Sequence, residues 1–345
     1  MKTFYVGSYG KNNDKGIYII KLNEETLELK LIQQIVTIDF PSYMIVKDHV
    51  LYIAYKNASM FNEGGGLGSF SIRDDELDLN NNYCSSGRSY THLCVDDQQR
   101  YIFAANYHIG ATASYELENK IITKKISAVR HKGLGPDLLK RQTGPHAHCV
   151  GITPDKEFLY SVDLGADKVV MYRYHQGVLL EDHDFTLNIV PGSGPRHMIF
   201  SKDGRFAYLV NEIANNIMVF KYNEGRYSLI QAIHCVPRHF KGFSSASAIR
   251  MTSSGEHLFV SNRGHDSIAM YRVNKETGKI SLLYMVHTGK DPRDFNIYND
   301  KYLVIGCQGD NKLQVMTFDE ENENLLLSDS FLNIPSPVCI AFEND

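Results

Sequence analysis

The sequence has no tryptophan, no Cys-x-x-Cys pair and no apolar run long enough to cross a membrane. Its first residues, MKTFYVGSYG, lack the apolar segment and the small-residue cleavage site of a secretory signal. Most of the six cysteines lie in apolar patterns typical of strands, so we expect buried, reduced thiols. These features predict a cytoplasmic protein that has no membrane partner.

Several functional motifs are also missing. There is no HExxH, no GxSxG and no Cys/His zinc spacing. The run GGGLG at 64–68 lacks the Lys-Ser/Thr of a phosphate-binding loop and predicts a flexible insertion instead. His146 and His148 are two residues apart and share one side of a strand, but no third ligand has an obvious spacing. We therefore expect no metal and no cofactor.

The charge balance argues against a nucleic-acid partner. Lys and Arg number 36 and Asp and Glu number 40, which gives a net charge of −4. A protein that binds nucleic acid through its overall charge carries a basic excess instead.

An internal repeat organises the chain. The clearest copy is PRHMIFSKDGRFAYLVNEIANNIMVFKY, in which short strands alternate with a polar turn. Six copies start at Pro41, Thr91, His146, Pro195, Ser245 and Pro292. Their spacing of roughly 45 to 55 residues is that of propeller blades.

A seventh unit is split between the two ends of the chain. The segment PSPVCIAFEND resembles an opening strand without partners, and FYVGSYGKNNDKGIYIIKL supplies the later strands. Joining them closes a ring and removes sheet edges. The sequence thus predicts an all-β, seven-bladed β-propeller as a single domain over 1–345. A β-sandwich or two β-domains would not explain the complementary ends. The basic segment 121–144 is predicted as the longest connection between blades, and long connections are often functional.

Equivalent positions in different blades lie at the same height and radius. Aligning the copies on their second strands places Asp163, Asn211, Asn262 and Asn106 at one position, and Tyr107, Leu164, Glu212, Arg263 and Gln308 at the next. The starts of the opening strands align as His148, Arg196, Ser247 and Arg293. Since the innermost strands line the channel of a propeller, these rows are predicted to meet at one mouth of it.

The predicted mouth combines several cations with one carboxylate, Glu212. Arginine recognises carboxylate or phosphate through two parallel hydrogen bonds and can stabilise an oxyanion. Histidine can act as a general base near neutral pH. Two structural readings stay open: His197 as an ordinary core residue, and Glu212 as a mere inter-blade partner of Arg196 or Arg263.

Five segments carry a resemblance to a known family: GPHAHCVGITPD, SVDLGADKV, GSGPRHMIFSKDGRFAYLVNE, FVSNRGHDSIAMY and DPRDFNI. They resemble the lactonase family that includes the bacterial propeller-type 6-phosphogluconolactonase and the fungal carboxy-cis,cis-muconate cyclase. The resemblance covers essentially the whole chain. It implies seven blades and a cleft lined by a histidine, two arginines and a glutamate, which correspond to His148, Arg196, Arg263 and Glu212.

The resemblance implies hydrolysis of a small anionic lactone, foremost 6-phospho-D-glucono-1,5-lactone of the pentose phosphate pathway. The expected catalytic residues are His148, Glu212, Arg196 and Arg263. The expected substrate-binding residues are His146, His197, Arg293, Asn211 and Asn262. Alternatives are a cycloisomerase, a lactonase for another carboxylated lactone, and a non-catalytic scaffold, although the repeats lack the Trp-Asp signature of such scaffolds. We expect a monomer or weak homo-oligomer.

Overall fold

The computed structural model describes residues 1–57, 64–85, 89–137 and 141–343. Nearly all regular structure is strand, with two short 3₁₀ helices at Asn12–Asp14 and Gln308–Asp310. The strand segments are rich in β-branched and aromatic residues, as in FAYLVN of Phe206–Asn211, and are separated by Asn, Asp and Gly turns. Within the described residues no helix is both long and apolar enough to span a membrane.

Seven antiparallel sheets surround a central channel, each with its first strand innermost. Blade 1 consists of Pro337–Phe342, Lys2–Tyr9, Lys15–Leu22 and Leu29–Ile35. Blade 2 consists of Pro41–Lys47, Val50–Asn57, Gly64–Arg73 and Glu76–Ser85. Blade 3 consists of His92–Val95, Tyr101–Asn106, Ala111–Glu118 and Ile121–Arg130. Blade 4 consists of Ala147–Ile152, Leu159–Asp163, Lys168–His175 and Val178–Glu181, with the short strand Leu187–Asn188 added.

The remaining blades repeat the same order. Blade 5 consists of Pro195–Phe200, Phe206–Asn211, Asn216–Asn223 and Arg226–His234. Blade 6 consists of Ser245–Met251, His257–Arg263, Ser267–Val273 and Ile280–His287. Blade 7 consists of Pro292–Tyr298, Tyr302–Cys307, Lys312–Asp319 and Asn324–Asn333. The seven-bladed propeller predicted from the repeat is confirmed.

The ring is closed by the two ends of the chain. The strand Pro337–Phe342 pairs antiparallel with Lys2–Tyr9, so that Phe4 lies opposite Phe342 and their rings are 5.1 Å apart. Both phenylalanines are buried in the core between blades 7 and 1. The predicted pairing of the N- and C-terminal strands in one blade is therefore present.

Tyrosines bind neighbouring blades together in this tryptophan-free core. Tyr160 donates a hydrogen bond to the Met198 carbonyl of the next blade at 3.1 Å. Tyr208 does the same with the Gly278 carbonyl at 3.1 Å. Each ring fills apolar volume while its hydroxyl finds an acceptor, so the buried polar atom does not oppose folding.

A β-bulge near the start of the first strand prepares the functional site. In five blades the bulge leaves one residue of the first strand without a pairing partner on the second strand. In blade 6 it leaves two such residues, and the described pairing of blade 3 contains no bulge. The unpaired residues are Ser42, His148, Arg196, Ser247, Ala248, Arg293 and Val338. Because a bulge re-aims side chains, a bulged residue and its successor can both face the channel.

Two sequence predictions about connections are wrong. Half of the segment 121–144 is not a connection, because Ile121–Arg130 forms the outer strand of blade 3; the connection to blade 4 begins at His131. The glycine-rich run at 64–68 is not an insertion but the start of the third strand of blade 2. Its glycines suit that place, because a Cβ on Gly66 would stand 2.3 Å from the Tyr55 hydroxyl.

Candidate functional site

A small cavity lies where the bulged residues meet in the channel. Its volume is about 20 Å³. Its lining consists of Tyr9, Ser42, Tyr43, Thr91, His148, Arg196, His197, Arg293, Asp294 and Val338. A cavity needs roughly 10–15 Å³ and several polar partners to hold one water molecule, so this one suits a single water. A molecule of the size of a sugar does not fit in this cavity, which lies beside the predicted mouth of the channel.

Glu212 is the centre of the charged cluster at that mouth. Its carboxylate lies 2.5 Å from Nη1 of Arg141, 3.0 Å from Nε of Arg196 and 3.0 Å from Nη2 of Arg263. Burial alone would raise the pKa of Glu212, but the three guanidinium groups outweigh it and hold the pKa well below its usual range. Glu212 therefore stays ionised and orients the arginines, and it cannot exchange protons near neutral pH.

Arg196 and Arg263 have different surroundings. Arg196 is only 3% exposed, and burial followed by the charge of Arg263 lowers its pKa to about 9, so it remains protonated at pH 7. Its Nη1 lies 3.0 Å from Nε2 of His197. Arg263 donates through Nη2 to the Ser245 hydroxyl at 2.8 Å. Both guanidinium groups are thus held in place by their partners, and Arg196 also lines the cavity.

His148 lines the same cavity and remains neutral. Burial, then the charge of Arg196, lowers the pKa of His148 well below its usual value. Its Nδ1 is buried and has no hydrogen-bond partner among the described residues. The ring lies 5.3 Å from that of His197 and 5.7 Å from that of Tyr107. A neutral imidazole with an unused nitrogen can accept a proton from a water in the cavity.

Two further neutral imidazoles lie deeper in the channel. Burial and the charge of Arg196 lower the pKa of His197 well below its usual value, and burial lowers the pKa of His92 to about 3. The His92 ring is 5.4 Å from that of His197 and stacks on Tyr43 at 3.9 Å. His197 thus packs against other rings, as a core residue does, and it also borders the cavity, as a site residue does.

Arg141 reaches the site from the connection between blades 3 and 4. Besides its ion pair with Glu212, it donates through Nε and Nη2 to the Tyr107 hydroxyl at 3.4 and 3.3 Å. The adjacent Gln142 is fully buried and donates to the Leu164 carbonyl at 2.9 Å, which fixes the chain at this point. Only the basic character of the segment signalled Arg141 in the sequence, because a connection has no repeat register. Lys140, another basic residue of that segment, lies outside the described residues.

His146 stands at the mouth beside His148. Its ring stacks on Tyr107 at 4.4 Å with an interplanar angle of 9°, and its Nδ1 donates to the Tyr107 carbonyl at 2.9 Å. His146 and His148 therefore contact the same tyrosine. This position suits the predicted substrate contact for His146.

Asn211 and Asn262 are placed differently from the predicted substrate contacts. Both are fully buried and neither lines the cavity. The Asn211 amide donates to Asn216 at 2.7 Å, and the Asn262 amide donates to the Cys235 carbonyl at 2.9 Å. Both lie near the end of the second strand, where the Asn211 amide holds the turn that follows and the Asn262 amide holds the connection that precedes blade 6. This placement does not fit direct contact with a substrate.

Metal binding finds little support in this geometry. No group of three or more His, Cys, Asp or Glu side chains suited to a metal ion occurs among the described residues. At the mouth, the carboxylate of Glu212 is already surrounded by guanidinium groups, which leaves no oxygen-rich place for a dication.

Larger hollows also lie away from the cluster, two of them with charged linings. One, of about 390 Å³, is bordered by Asp97 and Lys156, which form an ion pair with each other. The other, of about 760 Å³, is bordered by His257, whose Nε2 lies 2.9 Å from the Glu323 carboxylate. Their charged groups satisfy one another, whereas the mouth has more cations than carboxylates.

Comparison with known proteins agrees with this geometry. The family model described as "Lactonase, 7-bladed beta-propeller" matches residues 3–342. The 6-phosphogluconolactonase of Bacillus subtilis is 33% identical over 98% of this chain and 97% of its own length. A candidate 6-phosphogluconolactonase from Bacteroides fragilis has a solved structure with a TM-score of 0.90 at 29% identity, covering 99% of this chain and 97% of its own. The periplasmic gluconolactonase of Pseudomonas aeruginosa superposes with a TM-score of 0.92 at 25% identity, covering 99% and 98%.

Proposed function

Because this chain belongs to the seven-bladed β-propeller lactonase family and is a lactonase, we propose that it hydrolyses 6-phospho-D-glucono-1,5-lactone to 6-phosphogluconate. The observation that carries the proposal is the neutral His148, whose Nδ1 has no partner among the described residues and lies beside a water-sized cavity and a cluster of guanidinium groups. Such an arrangement suits attack of water on a carbonyl.

In the proposed reaction, His148 takes a proton from water as the water oxygen bonds to the lactone carbonyl carbon. The carbonyl oxygen becomes an oxyanion, which Arg196 and Arg263 stabilise. When the carbonyl reforms, the ring C–O bond breaks and the leaving alkoxide takes the proton from the imidazolium. Positioned proton transfer contributes roughly 10²- to 10⁴-fold. Since lactones open readily without help, this modest machinery is sufficient.

Glu212 acts as a positioning residue in this scheme. Its ionised carboxylate bridges Arg141, Arg196 and Arg263, so these like charges can stand close together without forcing one another apart. Three guanidinium groups against one carboxylate leave an excess of positive charge. This excess favours an anionic substrate over a neutral one.

We further propose that the protein acts in the cytoplasm as one domain, and as a monomer or weak homo-oligomer. Phosphorylated sugars are retained inside cells by their charge, and the six unpaired cysteines agree with a reducing compartment.

A direct assay tests the activity. Purified protein is given 6-phospho-D-glucono-1,5-lactone and, separately, D-glucono-1,5-lactone, and the spontaneous rate is subtracted. We expect clear acceleration on the phosphorylated lactone and a lower kcat/KM on the other. No acceleration of either lactone by folded protein would overturn the proposal, and acceleration of the unphosphorylated lactone alone would replace its substrate.

A further inference from the structure

We propose that the hydroxyl group of Tyr107 contacts the substrate and donates a hydrogen bond to the lactone carbonyl oxygen as that oxygen becomes an anion. This inference rests on the proposed function and adds a catalytic residue to its site. Tyr107 belongs to the aligned row of mouth residues, but it was not among the site residues expected from the sequence.

Blade register places Tyr107 at the mouth, at the height of Glu212. The last residue of the second strand, which pairs with the first residue of the third, is Asn106 in blade 3 and Asn211 in blade 5. Tyr107 and Glu212 are the residues that follow. Equivalent blade positions share one height and radius, so both side chains belong to the same ring of mouth residues. Blade 4, which carries His148, stands between these two blades.

Two histidines hold the Tyr107 ring in place. The His146 ring stacks on it at 4.4 Å with an interplanar angle of 9°. The His148 ring meets it almost at a right angle, 86°, with the centroids 5.7 Å apart. The tyrosine therefore has a fixed position beside the proposed general base, and it needs little further ordering when a substrate binds.

The hydroxyl oxygen of Tyr107 is occupied, whereas its hydrogen is available. Nε and Nη2 of Arg141 lie 3.4 and 3.3 Å from that oxygen and donate to it. A guanidinium group has no acceptor, so the hydroxyl hydrogen must point away from Arg141. No acceptor for this hydrogen occurs among the described residues. Tyr107 is thus a donor ready for an oxygen that a ligand supplies.

The neighbouring guanidinium groups share their hydrogens with protein groups. Arg263 donates to Glu212 and to the Ser245 hydroxyl. Arg196 also bonds Glu212. In the part of the chain that the structure describes, the Tyr107 hydroxyl hydrogen has no such competitor. A hydroxyl that accepts hydrogen bonds from a cation is also polarised and becomes a stronger donor. These properties suit a preorganised donor for a developing oxyanion.

The hydrogen bond from Tyr107 acts in the first step of the proposed reaction. The water oxygen bonds to the carbonyl carbon while His148 takes a proton from the water. The electron pair of the carbonyl double bond moves to the carbonyl oxygen, which accepts the hydrogen bond from Tyr107, and no proton leaves the tyrosine. Because the bond strengthens as negative charge develops, it lowers the barrier more than it tightens substrate binding.

Removal of the hydroxyl group tests this contact. Tyr107→Phe keeps the ring, so the stacking on His146 should persist. We expect kcat for lactone hydrolysis to fall at least about tenfold, since loss of one oxyanion donor commonly costs about 10²- to 10³-fold. We expect KM to change less than about threefold. Wild-type kcat in Tyr107→Phe, with a loss only in Tyr107→Leu, would mean that the ring matters for packing alone and would overturn the proposal.

A double variant separates direct contact from an effect through Arg141. Because the hydroxyl accepts from Arg141, Tyr107→Phe also releases that side chain. If the hydroxyl contacts the substrate, Tyr107→Phe should still lower kcat at least about fivefold in the Arg141→Met background. No further loss in that background would make Tyr107 only a support for Arg141 and would remove it from the reaction.

Tyr302→Phe is the matched control. The Tyr302 hydroxyl donates to the Glu24 carbonyl at 3.0 Å, at the end of its strand that lies away from the mouth. Its removal should lower the melting temperature slightly and leave kcat and KM unchanged. A fall in kcat equal to that in Tyr107→Phe would attribute both losses to a general loosening of the blades and would overturn the contact.

A binding measurement keeps the contact distinct from the lactonase proposal. The carboxylate of gluconate carries the oxygen that was the lactone carbonyl, so we expect calorimetry to show about tenfold weaker gluconate binding in Tyr107→Phe than in wild type. If the protein accelerates no lactone but this difference is present, the proposed reaction fails and the contact stands. If lactones are hydrolysed and Tyr107→Phe changes neither kcat nor gluconate binding, the contact fails and the lactonase stands.

Discussion

Two buried histidines near blade 4 show how the same residue can serve opposite purposes. The Nδ1 atom of His131 lies 2.6 Å from the Asp163 carboxylate, and its Nε2 lies 2.7 Å from the Tyr172 hydroxyl. The Nδ1 of His148 has no partner in the described residues and borders a cavity. Both rings are almost inaccessible to solvent. The two histidines therefore differ in hydrogen bonding. Both ring nitrogens of His131 are bonded and help to hold the fold, whereas Nδ1 of His148 is left available for a reaction.

Two of the buried carboxylates, Asp163 and Glu212, extend the comparison. Asp163 accepts hydrogen bonds from the backbone amides of His146 and Ala166 at 2.7 and 2.8 Å, in addition to its contact with His131. It thereby fixes both ends of the connection that carries Arg141. Within the described part of the chain, the ion-pair partners of the Glu212 carboxylate are three arginines at the mouth itself. One carboxylate supports the chain, and the other arranges charge where a substrate binds.

The largest expected effect is on stability, from His131→Ala. Removing one member of a buried, fully bonded group leaves Asp163 and Tyr172 without their partner, which costs about 3 kcal/mol of the free energy of unfolding. Turnover per folded molecule should stay within about threefold of wild type, because His131 lies outside the cavity. Chemical denaturation and initial rates measure the two quantities. A large loss of kcat at full stability would reverse the roles assigned to the two histidines.

His148→Ala should show the opposite pattern. Loss of the general base should lower kcat by roughly 10²-fold or more, with a smaller change in KM. Because His148 makes few polar contacts, we expect the melting temperature to change little. Rates must be corrected for spontaneous lactone opening. Wild-type kcat in this variant would remove His148 from the reaction and leave the fold unaffected.

Glu212→Gln sharpens the comparison of the carboxylates. If Glu212 orients Arg196 and Arg263, turnover per folded molecule should fall about tenfold, and the melting temperature should fall as well because three guanidinium groups lose their shared counter-charge. If it is only an inter-blade ion-pair partner, the melting temperature should fall and turnover should persist. Parallel kinetic and thermal measurements on the same preparation decide between the two outcomes. The exposed pair Lys275–Glu256 offers a control, since Glu256→Gln should change neither quantity.

Acid stability gives a further test of the neutral imidazoles. The pKa values of His148 and His197 are lowered well below 6.5, and that of His92 is about 3. Below pH 6.5 the unfolded chain therefore binds protons that the folded chain does not, and stability falls as the pH drops. Replacing one of the three, as in His197→Gln, should reduce this slope by about 1.4 kcal/mol per pH unit. Denaturation midpoints at several pH values between 6.5 and 4.5 measure it. An unchanged slope would mean that His197 is protonated in the folded protein.

The smallest effect is expected from metal removal, which should not change the activity. Because Glu212 is occupied by guanidinium groups, we expect EDTA to leave kcat/KM unchanged. Loss of activity with EDTA and its return with Ca²⁺ or Zn²⁺ would indicate a different hydrolytic chemistry from the one proposed for His148.

Much of the site could be predicted from the sequence because the repeat converts position in the chain into position in space. The row containing His148, Arg196 and Arg293 does meet at one cavity. Continuing the adjacent row into the weaker copies would also have found Tyr9, which lines the cavity. Those copies have less regular turns, and without the strand pairing their register could not be counted.

Other features could not be read from the sequence, for physical reasons. Regular alternation predicts that Arg196 and His197 face opposite sides of a strand, but the bulge directs both into the cavity. Arg141 lies on a connection, where no repeat fixes its position. Asn211 shares the polarity of the mouth residues, yet its amide is turned into the blade.

The way the ring closes also has a consequence for protein synthesis. Among the described strands, Lys2–Tyr9 is made first and its inner partner Pro337–Phe342 is made last. Six blades can form as the chain emerges, but blade 1 keeps an unpaired inner edge until Pro337–Phe342 has been synthesised. Tyr9, at the end of that waiting strand, takes its final place in the mouth only then. Before Pro337–Phe342 is added, the nascent chain therefore lacks Val338 and a fixed Tyr9, two of the residues that line the cavity.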